Sequence, residues 1–96
     1  MEKFSVQNYL MPQISYFLGV IIRMFYRDHN PPHFHAVYAD FEGIIDIEKN
    51  EIIGGELPPR VLVLVKEWSA IHKAELMDNW ERARQQESLK DIAPLV

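Results

Sequence analysis

Val20-Ile21-Ile22-Arg23-Met24-Phe25-Tyr26-Arg27-Asp28-His29-Asn30-Pro31-Pro32-His33-Phe34-His35-Ala36-Val37-Tyr38 decides how this chain folds. Its two ends alternate as strands do, and its middle cannot. Val20 to Tyr26 is dense in β-branched and aromatic residues, which suit a pleated, half-buried surface. Alternation puts Val20, Ile22, Met24 and Tyr26 on one face and Ile21, Arg23, Phe25 and Arg27 on the other. Both faces are mostly apolar, so this strand is expected to lie centrally, with partial cover on each side. Asp28 to Pro32 is a turn. Asp28 and Asn30 can bond the local backbone, and Pro31 and Pro32 have no N–H to give to a ladder. A residue before proline is steered to extended geometry, so the elbow is stiff. It feeds a second strand, His33 to Tyr38, with His33, His35 and Val37 on one face and Phe34, Ala36 and Tyr38 on the other.

Downstream, Ala39 to Gly43 is a connection. Ile44 to Glu48 forms a third strand, with Ile45 and Ile47 inward and Asp46 and Glu48 outward. Lys49-Asn50 turns the chain, and Glu51 to Ile53 returns as a short fourth strand before Gly54-Gly55. The pattern is a meander of short antiparallel strands. The period then changes. Pro58 and Pro59 open a helix, since proline in the first turn forfeits no hydrogen bond. Val61, Leu64, Val65, Trp68, Ile71 and His72 recur at three- and four-residue spacing, and Leu76, Met77, Trp80 and Ala83 continue the stripe. One long helix or two would fit. A bend near His72 to Ala74 is favoured, because a single rod would carry Trp80 beyond a small sheet.

Upstream, Ile14 to Phe17 reads as a short edge strand or an extended lead-in, and Gly19 permits a bend. The expectation is an α+β fold, a small antiparallel sheet of three to four short strands packed against one or two C-terminal helices. Residues 1–10 are expected as a flexible N-terminal extension, residues 11–87 as a single α+β domain, and residues 88–96 as a loose C-terminal tail, with Pro94 blocking helix.

The composition narrows the function classes. The 96 residues are 48% hydrophobic and 25% charged, enough to fold as one domain without a partner. Cysteine is absent, which excludes disulfides and thiolate chemistry and fits a cytoplasmic protein. No apolar run is long enough to span a bilayer, and no secretion signal or membrane association is expected. The formal net charge is −4. Acidic residues cluster from Glu42 to Glu56 and from Glu75 to Asp91, whereas Arg23, Arg27, Arg60, Lys66 and Lys73 are scattered. A broad phosphate-neutralising surface is not expected, so nucleic-acid binding has weak support.

Three of the four histidines, His29, His33 and His35, fall within the elbow and the strand it feeds. Positions i and i+2 of a strand share a face, so His33 and His35 can converge on one ion, with His29 swinging in from the turn. Imidazole suits divalent transition metals. Asp46, Glu48 or His72 could supply a fourth ligand, and Asp46 completes the candidate set His29, His33, His35, Asp46. The competing reading is structural, with each ring capping a backbone carbonyl or solvated. A second chemical reading is acid–base catalysis by His29, His33 or His35. Asp28 or Asp46 would orient the base, and Arg23 or Arg27 would steady an anion such as phosphate. No glycine-rich phosphate loop is present, and Ser15 and Ser69 have no nucleophile context.

Met11-Pro12-Gln13-Ile14-Ser15-Tyr16-Phe17, then Gly19, Ile22 and Met24, then Asp28 to His35 with Tyr38, then Gly55-Glu56-Leu57-Pro58 and the pair Trp68 and Trp80, resemble a family of short bacterial proteins, domain of unknown function 4160. The resemblance covers Met11 to about Arg84. It implies a small cytoplasmic α+β domain, with residues 1–10 as an extension. Genes of that family often neighbour another small domain, an arrangement similar to toxin–antitoxin pairs. The leading expectation is therefore an interaction component of a two-component module, with a small protein partner or self-association. The alternatives are a histidine- or metal-dependent hydrolase or nuclease acting on a phosphate ester or RNA, and a weak nucleic-acid-binding module. The resemblance carries no catalytic assignments. It marks His29, Pro31, Pro32, His33 and His35 as its closest matches.

Overall fold

A computed structural model describes residues 11–96, so the extension expected over residues 1–10 lies outside the described residues. Five strands form one antiparallel sheet in the order of the chain: β1 (Gln13–Phe17), β2 (Val20–Arg23), β3 (His33–Tyr38), β4 (Phe41–Asp46) and β5 (Glu51–Gly55). Two helices follow, α1 (Pro59–Ile71) and α2 (Lys73–Arg84). The α+β class stands, but the sheet has five strands rather than three to four.

The additional strand is β1. Leu18 and Gly19, with φ of 50° and 82°, make the two-residue turn whose twist matches paired strands. The register slips between Gln13↔Arg23 and Ser15↔Ile22, so β1 carries one extra residue, and both Ile14 and Ser15 are buried. Such a bulge breaks the two-residue period that marks a strand in sequence. β2, in turn, stops at Arg23 rather than reaching Tyr26. Its last pair with β3 is Arg23↔His35, and the Met24 N–H donates to Pro12 O at 3.3 Å on the β1 side. The connection expected over Ala39 to Gly43 is also shorter. Ala39 turns with φ 51°, and Phe41 already pairs with Tyr38.

Both helices cover the face that carries Val20, Ile22, Met24, Phe34, Ala36, Ile45 and Ile47, all buried. Trp68 of α1 anchors this layer, its ring 5.4 Å from Phe17 and 5.7 Å from Phe34. Truncating such a side chain to alanine costs about 3–5 kcal/mol. The helices separate at His72, which has φ −109° and ψ 26°, where the bend was expected. The break lets α2 run beside the elbow, with Trp80 buried against His33 at 5.2 Å between ring centroids. The Arg27 N–H donates to Ala83 O at 3.3 Å and ties the start of the elbow to the end of α2.

Residues 88–96 hold neither helix nor strand, yet they are docked rather than loose. Ile92 is buried and its N–H donates to Ile14 O at 2.8 Å, along the outer edge of β1. Trp68 Nε1 donates to Ala93 O at 2.8 Å. Asn79 donates to Lys90 O and accepts from Lys90 N, both at 2.9 Å. A buried amide that satisfies both partners in this way fixes the segment. The opposite sheet face exposes Tyr16 and Ile53.

Candidate metal centre

The elbow and β3 together build a three-residue cluster. Alternation puts His33 and His35 on the face opposite Phe34 and Ala36, where both are still buried. Their rings lie 5.4 Å apart, and Phe25 stands edge-on to His35 at 4.6 Å. The Asn30–Pro31 peptide is cis, and Pro31 O lies 2.7 Å from His33 Nδ1. At the head of the elbow, Asp28 Oδ1 accepts the His29 N–H at 2.8 Å. That bond aims Oδ2 inward, 2.9 Å from His33 Nε2 and 3.8 Å from His35 Nε2. Asp28, His33 and His35 each offer a ligand atom, and these atoms lie within 4.8 Å of one another. Tetrahedral bonds of about 2.05 Å place two ligand atoms roughly 3.3 Å apart, so the cluster brackets the spacing one ion requires.

What fixes the rings from behind is as telling as what faces the centre. Glu42 Oε2 lies 2.9 Å from His35 Nδ1. A carboxylate only accepts, so Nδ1 carries the proton and neutral His35 keeps its lone pair on Nε2. That Nε2 is buried and has no hydrogen-bond partner. The Pro31 carbonyl takes the Nδ1 proton of His33 in the same manner. Nε2 of His33 then meets Asp28 as an imidazolium donor, or as a lone pair sharing a cation with that oxygen. An outer acceptor on each imidazole, with Nε2 turned inward, is the usual support of a metal-binding histidine. Burial pushes the Asp28 carboxyl up, but the His29 N–H, the His33 hydrogen bond and the charge of either imidazole when protonated outweigh it. They hold the pKa below the ordinary 3.8.

The other sequence candidates sit elsewhere. His29 is exposed, and its contribution to the cluster is its backbone N–H on Asp28 rather than its ring. Asp46 pairs with His33 across the ladder, but its Oδ1 accepts the Lys49 N–H at 2.9 Å and caps the β4–β5 turn. Arg23 pairs with His35 across the ladder, and its Nη1 donates to Met11 O at 2.9 Å. Glu48 is exposed, and His72 bonds Glu75 at the helix junction. The cluster member that sequence reading passed over is Asp28, considered there only as an orienting group. Its signal was its place at the head of the elbow, five residues before His33.

The cluster opens on a shallow cleft of about 340 Å³ framed by Phe25, Tyr26, Arg27 and Ile44. A second cleft of about 360 Å³ adjoins it, lined by Arg27, Asp28, His29, Asn30 and Arg84. A larger hollow of about 450 Å³ between α2 and the tail, at Asp78 and Lys90, has no such cluster. No helix among the described residues is long and apolar enough to cross a membrane.

The family described as a domain of unknown function, DUF4160, matches residues 19–81, which include every residue of the cluster. Neither a curated protein nor a solved structure matches the chain.

Proposed function

The chain belongs to the DUF4160 family, and from its site we propose that it is a metal-dependent hydrolase whose divalent transition metal is held by Asp28, His33 and His35. The carrying observation is His35 Nε2, buried without a hydrogen-bond partner while Glu42 holds the proton on the far nitrogen. A nitrogen in that state is costly unless something electrophilic takes its lone pair. Two imidazoles and one carboxylate leave coordination positions free, the pattern of catalytic rather than structural sites. A bound divalent ion would supply Lewis acidity and lower the pKa of its water to about 7. In the hydrolysis, the water oxygen bonds to the ester's phosphorus or carbonyl carbon. The bond to the departing alcohol breaks, and the water's proton ends on that alcohol.

The test is calorimetric titration of chelator-treated protein with zinc, manganese, nickel and ferrous iron. Hydrolysis of bis(p-nitrophenyl) phosphate and p-nitrophenyl acetate is then assayed with each metal. The proposal expects at least one metal to bind in the micromolar range and to confer turnover that His35→Ala abolishes. Affinity no tighter than millimolar for all four metals would end it.

A second reading is an interaction component of a two-component module. Tyr16, Leu18, Phe41 and Ile53 are large apolar side chains left exposed on the strands and their turns, and a small protein partner or second copy could cover them. Sedimentation of the chain with and without its gene neighbour's product tests this. A single monomeric species in both cases would contradict it.

A further inference from the structure

We propose that Arg27 and Arg84 form a phosphate-binding subsite beside the Asp28–His33–His35 centre. The hydrolase substrate would then be a phosphate ester. The substrate class rests on the hydrolytic reading; the anion site does not.

The chain is acidic overall, at −4, so a place where cations gather stands out. Arg27 and Arg84 lie far apart in sequence, and the fold brings them to one cleft. It does so through the backbone: Arg27 adopts φ 57°, and its N–H donates to Ala83 O at 3.3 Å, one residue before Arg84. Both arginines are exposed, and among the described residues neither has an ion pair. The neighbouring Arg82 differs, since Asp78 and Glu87 occupy it. Two unengaged guanidiniums offer forked N–H donors that match the oxygens of a phosphoryl group. Asp28 is the wall shared with the metal cleft. An anion seated between the arginines therefore lies next to the centre where the ester bond would be cleaved.

A competing role for Arg84 is to complement the negative end of the α2 dipole. The experiment separates the two. Inorganic phosphate is titrated calorimetrically into chelator-treated protein at low ionic strength. Wild type, Arg27→Ala/Arg84→Ala, the milder Arg84→Gln and the control Arg82→Ala are compared, with melting temperature and zinc affinity measured for each. The subsite predicts millimolar phosphate binding by wild type and by Arg82→Ala, and at least tenfold weaker binding by the double variant. It also predicts that zinc affinity in the double variant stays within about twofold of wild type. Loss of melting temperature with unchanged phosphate binding would assign Arg84 to the helix dipole and overturn the subsite, as would no phosphate binding by wild type. Zinc binding without phosphate binding removes the subsite and leaves the metal reading. Phosphate binding without zinc binding removes the metal reading and leaves an anion site.

Discussion

Replacing Asp28 with asparagine should uncouple metal binding from stability. The substitution keeps the shape and an oxygen for the His29 N–H, which Oδ1 accepts at 2.8 Å. It removes the carboxylate whose oxygen sits 2.9 Å from His33 Nε2 and 3.8 Å from His35 Nε2. In wild type, zinc at a hundredfold excess over its Kd stabilises the folded state by about 2.7 kcal/mol. For a domain of this size about 1 kcal/mol moves Tm by roughly 4–8 °C, so zinc should raise Tm by roughly 11–22 °C. Losing a charged ligand worth about 2.7 kcal/mol weakens binding about a hundredfold. At the same zinc concentration the variant is then half-saturated, and the gain falls to about 0.4 kcal/mol, or roughly 2–3 °C. The metal-free variant also loses a charge-assisted acceptor, at about 1–2 kcal/mol. The readout is the difference between zinc-loaded and chelator-treated scans, so that cost cancels. Differential scanning calorimetry checks it. Equal zinc shifts in wild type and Asp28→Asn would refute the assignment of Asp28 as a ligand.

Further outcomes follow from the same geometry. The Asp28 carboxyl has a lowered pKa in the folded state, so its contribution is complete above its unfolded value of 3.8 and is lost as pH falls through the lower folded value. Metal-free wild type should therefore lose stability relative to Asp28→Asn below about pH 3.8, and acid titrations of the two should converge there rather than near neutrality. Glu42→Ala removes the acceptor behind His35 but no core contact, so it should weaken zinc binding by about 10–100-fold while leaving the metal-free Tm within a few degrees. Gly55→Ala should lower Tm by more than about 8 °C. A Cβ at Gly55 would stand 2.0 Å from Glu42 O, at φ 67°, and relieving that clash plus strain exceeds about 2 kcal/mol.

Much of the fold could be read from local pattern, because β3, β4 and the helices obey simple periods. Phe34 and Ala36 face the core and His33 and His35 face away, as alternation requires. The helix break at His72 followed from the need to keep Trp80 over a small sheet, and Trp80 is indeed buried. Where the reading fell short, the cause was long-range backbone bonding. The bulge in β1 hid its period, and Met24 bonds Pro12 on the β1 side after the last β2–β3 pair, Arg23↔His35. Asn79 and Ile92 anchor the last residues through partners that a linear pattern does not display. The site shows the same division. The shared face of His33 and His35 is a property of two positions one residue apart, whereas Asp28 joins them because the elbow folds back at the ends of β2 and β3. Asp46, in contrast, faces His33 in register but is taken by the turn it caps.

The most direct measurement is an anomalous-diffraction structure of crystals grown with zinc. The account predicts one ion at about 2.0–2.2 Å from His33 Nε2, His35 Nε2 and an Asp28 oxygen, with Glu42 still on His35 Nδ1. Zinc absent from this cluster while bound elsewhere, or His35 Nε2 satisfied by a protein acceptor in place of the ion, would contradict it.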